Sequence, residues 1–463
     1  MCVIGAGASG LVTTKRLLDY GIPADCFESG NQVGGTWAFR NSNGHSSAYR
    51  SLHIDTSKER LSLSDFPISR RYPDFPHHTQ IKEYLEQYCD AFGLREHIIL
   101  ETRVEHCEHL PGGGWAVTIS DGTARHYDML VVANGHHWDP RWPDFPGEFD
   151  GPQIHSHAYI DPGEPIELRG KRVLVVGIGN SAADIVSELA QRSQAARVFL
   201  STRSGSYVIP KYLLGRPLDQ LFRTIPQLPL GPQRRLLQLL QPIIWGRMER
   251  YGLPTPNHKF LEAHLTTSSE LLVRFGSGDV VAKPDVAALE GDRVRFVDDS
   301  TEQLDAIIYA TGYNVTFPFF DPSFISAPNN AIRLYKRVFK PGLDDVAFIG
   351  FTQALPTLFP FIECQAELLA RYIAGSYRPP SDDEMEALIT ADNHKFTAHF
   401  RDSARHTQEH DYYVYEHELR TREIPAGTRR AKQLGPVAIA GRARSSAPQH
   451  AASDAVLAAH EGR

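Results

Sequence analysis

Apolar positions in this chain follow two rhythms, a strand-like one and a helix-like one, and the two take turns. Residues 1–30 read as strand, helix, strand, ending in the strand-like Ala24-Asp25-Cys26-Phe27. That order opens a doubly wound α/β sheet. Residues 31–80 are rich in turns and aromatics, and a helix is predicted over 79–92, with Thr79 as cap before Ile81, Tyr84, Leu85 and Tyr88. Strand-like runs follow near 98–106, 114–119 and 128–133, the last ending in Ala133-Asn134-Gly135. Pro140, Pro143 and Pro146 then mark a boundary. The strand-helix-strand rhythm restarts at Lys171-Arg-Val-Leu-Val-Val and closes in Arg197-Val198-Phe199-Leu200. Another strand, Ala306-Ile307-Ile308-Tyr309, leads into Ala310-Thr311-Gly312-Tyr313, and a helix is predicted over 361–374.

This pattern predicts two doubly wound, Rossmann-like units, the second inserted into the first. The predicted boundaries are 1–150 for the first part of the outer unit, 151–306 for the inserted unit, 307–440 for the return of the outer unit, and 441–463 for a mobile tail. Within the inserted unit, 207–260 breaks the alternation with apolar, proline-punctuated sequence such as Leu236-Leu237-Gln-Leu-Leu240 and Ile243-Ile244-Trp245. It reads as a helical insertion that covers the active site, forms the face of a homodimer or touches a membrane surface, with packing as the leading reading. Only Met1 to Ile4 precede Gly5, fewer than the usual strand of about 5–6 residues, so a clipped first strand is expected to weaken its domain.

Length and composition narrow the possibilities. A chain of 463 residues and 51.7 kDa is too long for one core and divides into two or three domains. A net charge of −7 gives no sign of nucleic-acid binding. The five cysteines are scattered with no CxxC pair, which argues against a disulfide framework, a metal site and a dithiol relay. No signal peptide or bilayer-spanning run is found, so a soluble, cytoplasmic protein without a transmembrane anchor is expected.

The candidate chemistry lies where the rhythms change from strand to helix. The first such turn reads Gly5-Ala-Gly7-Ala-Ser-Gly10, and the second reads Gly177-Ile-Gly179-Asn180-Ser181-Ala182. Glycines in this context let backbone approach a pyrophosphate, whose charge sits on a helix N-terminus. Two such loops imply two dinucleotides, with electrons passing between them. After the first loop Glu28 ends the strand, where a carboxylate accepts ribose hydroxyls and repels a 2′-phosphate, as suits FAD or NAD. After the second loop the chain reads Ser201-Thr202-Arg203. The Arg203 fork suits the 2′-phosphate of NADPH.

Between the loops stands Phe149-Asp-Gly151-Pro-Gln-Ile-His155-Ser-His-Ala-Tyr159. This matches the FxGxxxHxxx(Y/F) fingerprint that flavin-containing monooxygenases carry between their FAD and NADPH loops. Val33-Gly34-Gly35-Thr36-Trp37, Ser64-Asp65-Phe66-Pro67, the Gly-Asn-Ser of the second loop and Ala310-Thr311-Gly312-Tyr313 also resemble that family, in order, over roughly residues 1–375. The resemblance implies a soluble FAD- and NADPH-dependent monooxygenase of the dimethylaniline monooxygenase type. Its C4a-hydroperoxyflavin gives one oxygen of O2 to a soft nitrogen or sulfur in a small substrate. FAD is expected at Gly5, Gly7, Gly10, Glu28, Gly34, Gly35, Thr36, Trp37 and Thr56, with Val104 at its adenine. NADPH is expected at Gly177, Gly179, Asn180, Ser181, Thr202 and Arg203. Phe149, Gly151, His155 and Tyr159 form the linker fingerprint, where His155 has a functional or a structural linking role.

One position departs from the family. Where it has Leu-x-x-Asn-Thr-Ser-Lys, this chain reads Leu52-His53-Ile54-Asp55-Thr56-Ser57-Lys58. Asparagine donates a hydrogen bond, whereas an ionised aspartate only accepts and repels a developing anion. Burial raising the Asp55 pKa would keep it a protonated donor. Asp55 is the expected residue closest to the chemistry, and three outcomes stay open: ordinary oxygenation, an uncoupled NADPH oxidase that Asp55→Asn would repair, or Baeyer–Villiger oxidation of ketones. Tyr159-Ile160 departs from the linker of Baeyer–Villiger enzymes. Two further rivals are a disulfide-type reductase, disfavoured by the missing CxxC, and a catalytically silent flavoprotein.

Overall fold

A computed structural model describes residues 1–221, 230–260, 262, 263, 265–397 and 409–439; the predicted tail at 441–463 lies outside them. Its architecture follows from the alternation of buried side chains. Strand β1 (Cys2–Ile4) enters helix α1 (Ala8–Asp19), and the sheet order is Val346–Phe348, Leu130–Val132, β1, Asp25–Phe27, Ile98–Ile99. All four pairings are parallel.

Successive strand residues face opposite ways, so Val3, Cys26 and Val131 pack against α1 and its neighbouring helices. Cys2, Ile4, Phe27, Leu130 and Val132 face the other side, against an antiparallel meander of Val104–His109, Trp115–Ile119 and Ala124–Tyr127. The three-residue β1 leaves no gap, since Asp25–Phe27 and Leu130–Val132 each pair with it over three residues. The predicted strand near 98–106 divides in two. Glu101, with φ of 52°, turns the chain from the sheet edge into the meander.

The second unit repeats the plan. Strand β2 (Arg172–Val176) leads into helix α2 (Asn180–Leu189), within a parallel sheet ordered Gln153–His155, Ala306–Tyr309, β2, Arg197–Ser201, Val280–Lys283. Val173 and Val175 pack on α2, while Leu174 and Val176 face a meander containing Val286, Val294 and Phe296. The chain leaves the first sheet after Leu130–Val132 and returns to it at Val346–Phe348, so the second unit is inserted into the first.

The 207–260 segment is helical only in part. Val208–Ile209 pairs in parallel with Thr266–Thr267, and Tyr212–Leu213 forms a hairpin with Arg216–Pro217. Leu214 and Gly215 at its tip have φ of 51° and 74°, the left-handed pair that tight hairpins require. Helix α3 (Leu230–Ile244) follows, leaving Leu239 and Ile243 exposed. Helix α4 (Phe359–Ile373), almost wholly buried, belongs to the same core as α1. Among the described residues no helix is long and apolar enough to cross a membrane, and no cluster of side chains suits a metal ion.

Candidate functional site: two glycine loops and one cavity

Backbone crowding explains the glycines of the first loop. Gly5 has φ of 100°, and a Cβ there would lie 2.7 Å from the Ala133 carbonyl oxygen. A Cβ on Gly10 would lie 1.7 Å from the Gly5 oxygen, and one on Gly35 would lie 3.0 Å from the Gly7 Cα. The Gly34 amide donates to the Ala6 oxygen at 2.9 Å, so the loop and the Gly34–Trp37 turn form one surface. Gly7 caps α1 with no side-chain acceptor, and the first turn carries no acid. Its amides are left for an anion.

Glu28 is buried, and its carboxylate accepts the Ala6 amide at 2.9 Å and the Gly30 amide at 2.7 Å. It therefore braces the loop. Val104 begins the meander strand, buried and two residues past Thr102, whose amide donates to the Glu28 carbonyl.

The second loop is built in the same way. Gly177 has φ of 128°, and a Cβ on it would lie 2.3 Å from the Ala310 oxygen. Ala133 and Ala310 thus play matching parts, each at the end of the strand beside its loop. Gly179 caps α2, again with no side-chain cap and no acid in the first turn. Asn180 Oδ1 accepts the Thr267 amide at 3.0 Å. Thr202 is buried with its amide donating to Lys283, whereas Arg203 is exposed just past the strand end.

The linker fingerprint is structural in its contacts. A Cβ on Gly151 would lie 2.6 Å from the Phe149 ring and 2.8 Å from the Asp305 oxygen. His155 ends the edge strand of the second sheet and is buried between Trp142 and Tyr313, where burial pushes its imidazole down to about 4. The Tyr159 hydroxyl donates to Glu188 on α2 at 2.8 Å.

A cavity of about 1040 Å³ opens beside the Gly34–Trp37 turn and the second loop. Thr36, Trp37, Asp55 and Thr56 line it from the outer unit, Asn180 and Ser181 from the second loop, and Ile209, Lys211, Leu218 and Leu237 from the insertion. Gly5, Gly7, Gly10, Gly34, Gly35, Gly177, Gly179, Glu28, Val104, Thr202 and Arg203 are not among the lining residues. The Thr56 hydroxyl donates to the Pro356 oxygen at 3.1 Å.

Asp55 is paired. Lys211 Nζ lies 3.0 Å from its Oδ1, and the Asn180 side chain also bonds it. Burial pushes the Asp55 carboxyl up, while Lys211 and Asn180 pull it down. Beside it Asp184 accepts the Tyr49 hydroxyl at 2.5 Å, and burial and then the Asp55 charge raise its pKa. Asn180, Asp184 and Glu188 are spaced i, i+4, i+8, so α2 lays one polar stripe along the junction. Sequence reasoning missed Lys211, Tyr49 and Asp184. Lys211 is remote in the chain and carries no motif; the spacing along α2 was the one visible signal.

Comparison with known proteins identifies the family. The family model described as flavin-binding monooxygenase-like matches residues 1–426. Rat dimethylaniline monooxygenase [N-oxide-forming] 2 is 36% identical over 441 residues, covering 90% of this chain and 81% of that protein. Rat flavin-containing monooxygenase 5 is 35% identical, covering 89% of this chain and 80% of that protein. Among solved structures, S-allyl-L-cysteine S-oxygenase from Allium sativum superposes with a TM-score of 0.68 at 23% identity, over 100% of this chain and 97% of that one. An oxidised steroid monooxygenase bound to NADP gives 0.69 at 19% identity, over 92% and 98%. The chain belongs to the flavin-containing monooxygenase family, with FAD and NADPH as its cofactors.

Proposed function

We propose that this protein oxygenates a soft nucleophile, the nitrogen or sulfur of a small amine, sulfide or indole-like substrate, using NADPH and O2. The observation that carries the reading is one cavity lined by the Gly34–Trp37 turn, the second loop and apolar residues of the insertion. The two glycine-capped, acid-free helix N-termini fit two pyrophosphates. FAD is held by Gly5, Gly7, Gly10, Glu28 and the Gly34–Trp37 turn, with Thr56 and Val104 alongside. NADPH is held by Gly177, Gly179, Asn180, Ser181, Thr202 and Arg203. Bound FAD, once reduced by NADPH, supplies the oxygen-transfer chemistry. The chain's own part is to orient the two cofactors and to exclude water, for which Phe75, Ile209, Leu218, Leu237 and Leu265 line the cavity.

The Asp55 carboxylate in the cavity wall favours a second reading, Baeyer–Villiger oxidation of a ketone. One experiment separates the two. NADPH consumption, oxygenated product and hydrogen peroxide are measured together with methyl phenyl sulfide and with cyclohexanone. Sulfoxide formed in step with NADPH supports heteroatom oxygenation. Lactone would support the second reading, and peroxide alone would make the protein an NADPH oxidase.

A further inference from the structure

Asp55 has a partner that the chain's linear order hides. Lys211 reaches from the insertion to the outer unit, with Nζ 3.0 Å from Asp55 Oδ1 and 3.4 Å from the Ile54 carbonyl oxygen. The ammonium also sits 5.2 Å from the centre of the Phe75 ring. Among the described residues lining the cavity, Lys211 and Arg422 are the only lysine or arginine, and Arg422 is exposed. The acids there are Asp55, Asp219, Asp411 and Glu418, with Asp184 just behind. Glu418 is paired with Lys336 at 2.8 Å, whereas Asp55 is paired with Lys211.

We propose that Lys211 is a positioning residue for oxygen transfer: its ammonium cancels the Asp55 charge and turns an N–H donor toward the cavity. An ammonium has three donors, and the two oxygens named above engage at most two of them. It supplies the donor that an asparagine at position 55 would provide. The proposal rests on the monooxygenase reading. It also explains how this chain tolerates a carboxylate where an anion-repelling group would uncouple NADPH oxidation from oxygenation.

A merely structural role for Lys211 would be to hold the insertion down. Other contacts already do so. Tyr212 donates to Asp74 at 2.9 Å, the Ser57 amide donates to Asp219 at 2.7 Å, and Gln220 donates to Glu59 at 2.7 Å.

The test compares the FAD-loaded wild type with K211M, K211R, D55N and D55N/K211M, reading peroxide per NADPH with methyl phenyl sulfide present. K211M is expected to raise that ratio about tenfold, the effect of one lost interaction at the barrier. K211R, which keeps the pair, should remain well below K211M. The double variant should return most of the way to D55N, because no unpaired carboxylate remains.

Unchanged coupling in K211M, or a double variant as leaky as K211M, would overturn the proposal. Melting of the FAD-free proteins provides a second readout: K211M should lose about 2 °C or more, and the double variant should regain part of it. Equal melting temperatures would mean that no pair forms. If the wild type makes neither sulfoxide nor lactone, the monooxygenase reading fails, and the positioning role falls with it.

Discussion

A methyl group on Gly10 would sit 1.7 Å from the Gly5 oxygen, well inside contact distance, so the first loop has to move before alanine fits. Overpacking of this kind costs about 1–3 kcal/mol, and here it displaces amides proposed to meet a pyrophosphate. Gly10→Ala is expected to purify with little bound FAD, which the absorbance ratio at flavin and protein bands measures. Full flavin occupancy would show that the loop yields more easily than its geometry implies. The glycine pattern was legible because backbone clearance is a local property. The company kept by Asp55 was not, since Lys211 and Asn180 reach it only through the tertiary fold. The same holds for Tyr49, whose hydroxyl is bound to Asp184. In Tyr49→Phe the buried carboxyl loses its donor, at about 1–3 kcal/mol, which denaturant unfolding will read as a lower midpoint at unchanged slope.

Among the helices, α4 carries a buried acid that links distant elements. Glu363 accepts the Ser64 amide at 3.0 Å and the Ser64 hydroxyl at 2.7 Å, and burial pushes its carboxyl up to about 7. Between 4.5, the ordinary value, and about 7, the unfolded chain releases this proton while the native chain keeps it. Stability from this group is complete below that window and falls as pH rises through it, by up to about 3 kcal/mol. Glu363→Gln cannot titrate, so its melting temperature should vary less than the wild type's between those pH values; parallel curves would reject the assignment. The helix itself was readable over 361–374 from its periodicity, against an observed Phe359–Ile373. The insertion was less so. Val208–Ile209 became a strand because Thr266–Thr267 lies beside it to complete the pairing, and apolar runs do not reveal their partners.

The whole molecule is one strand-helix plan used twice, with a helical face and a meander face on each sheet. If each loop holds its own dinucleotide, ligands should stabilise the protein independently. NADP+ at 100 times its Kd should add about 2.7 kcal/mol of stability. Arg203→Ala should raise the Kd for NADP+ about tenfold, or about 1.4 kcal/mol, with NAD+ little affected. Calorimetric titration of both nucleotides checks this, and an equal loss for the two would remove Arg203 from the 2′-phosphate. By itself the sequence determined the two units, their nesting, the turn glycines and the family, because strand and helix periods and tight-turn sterics act over a few neighbouring residues. The tertiary structure decided the cavity shared by the two units and the insertion, the α2 stripe along the junction and the Lys211–Asp55 pair. Those depend on how two separately folded sheets meet, and the contacts that set the meeting join residues far apart in the chain.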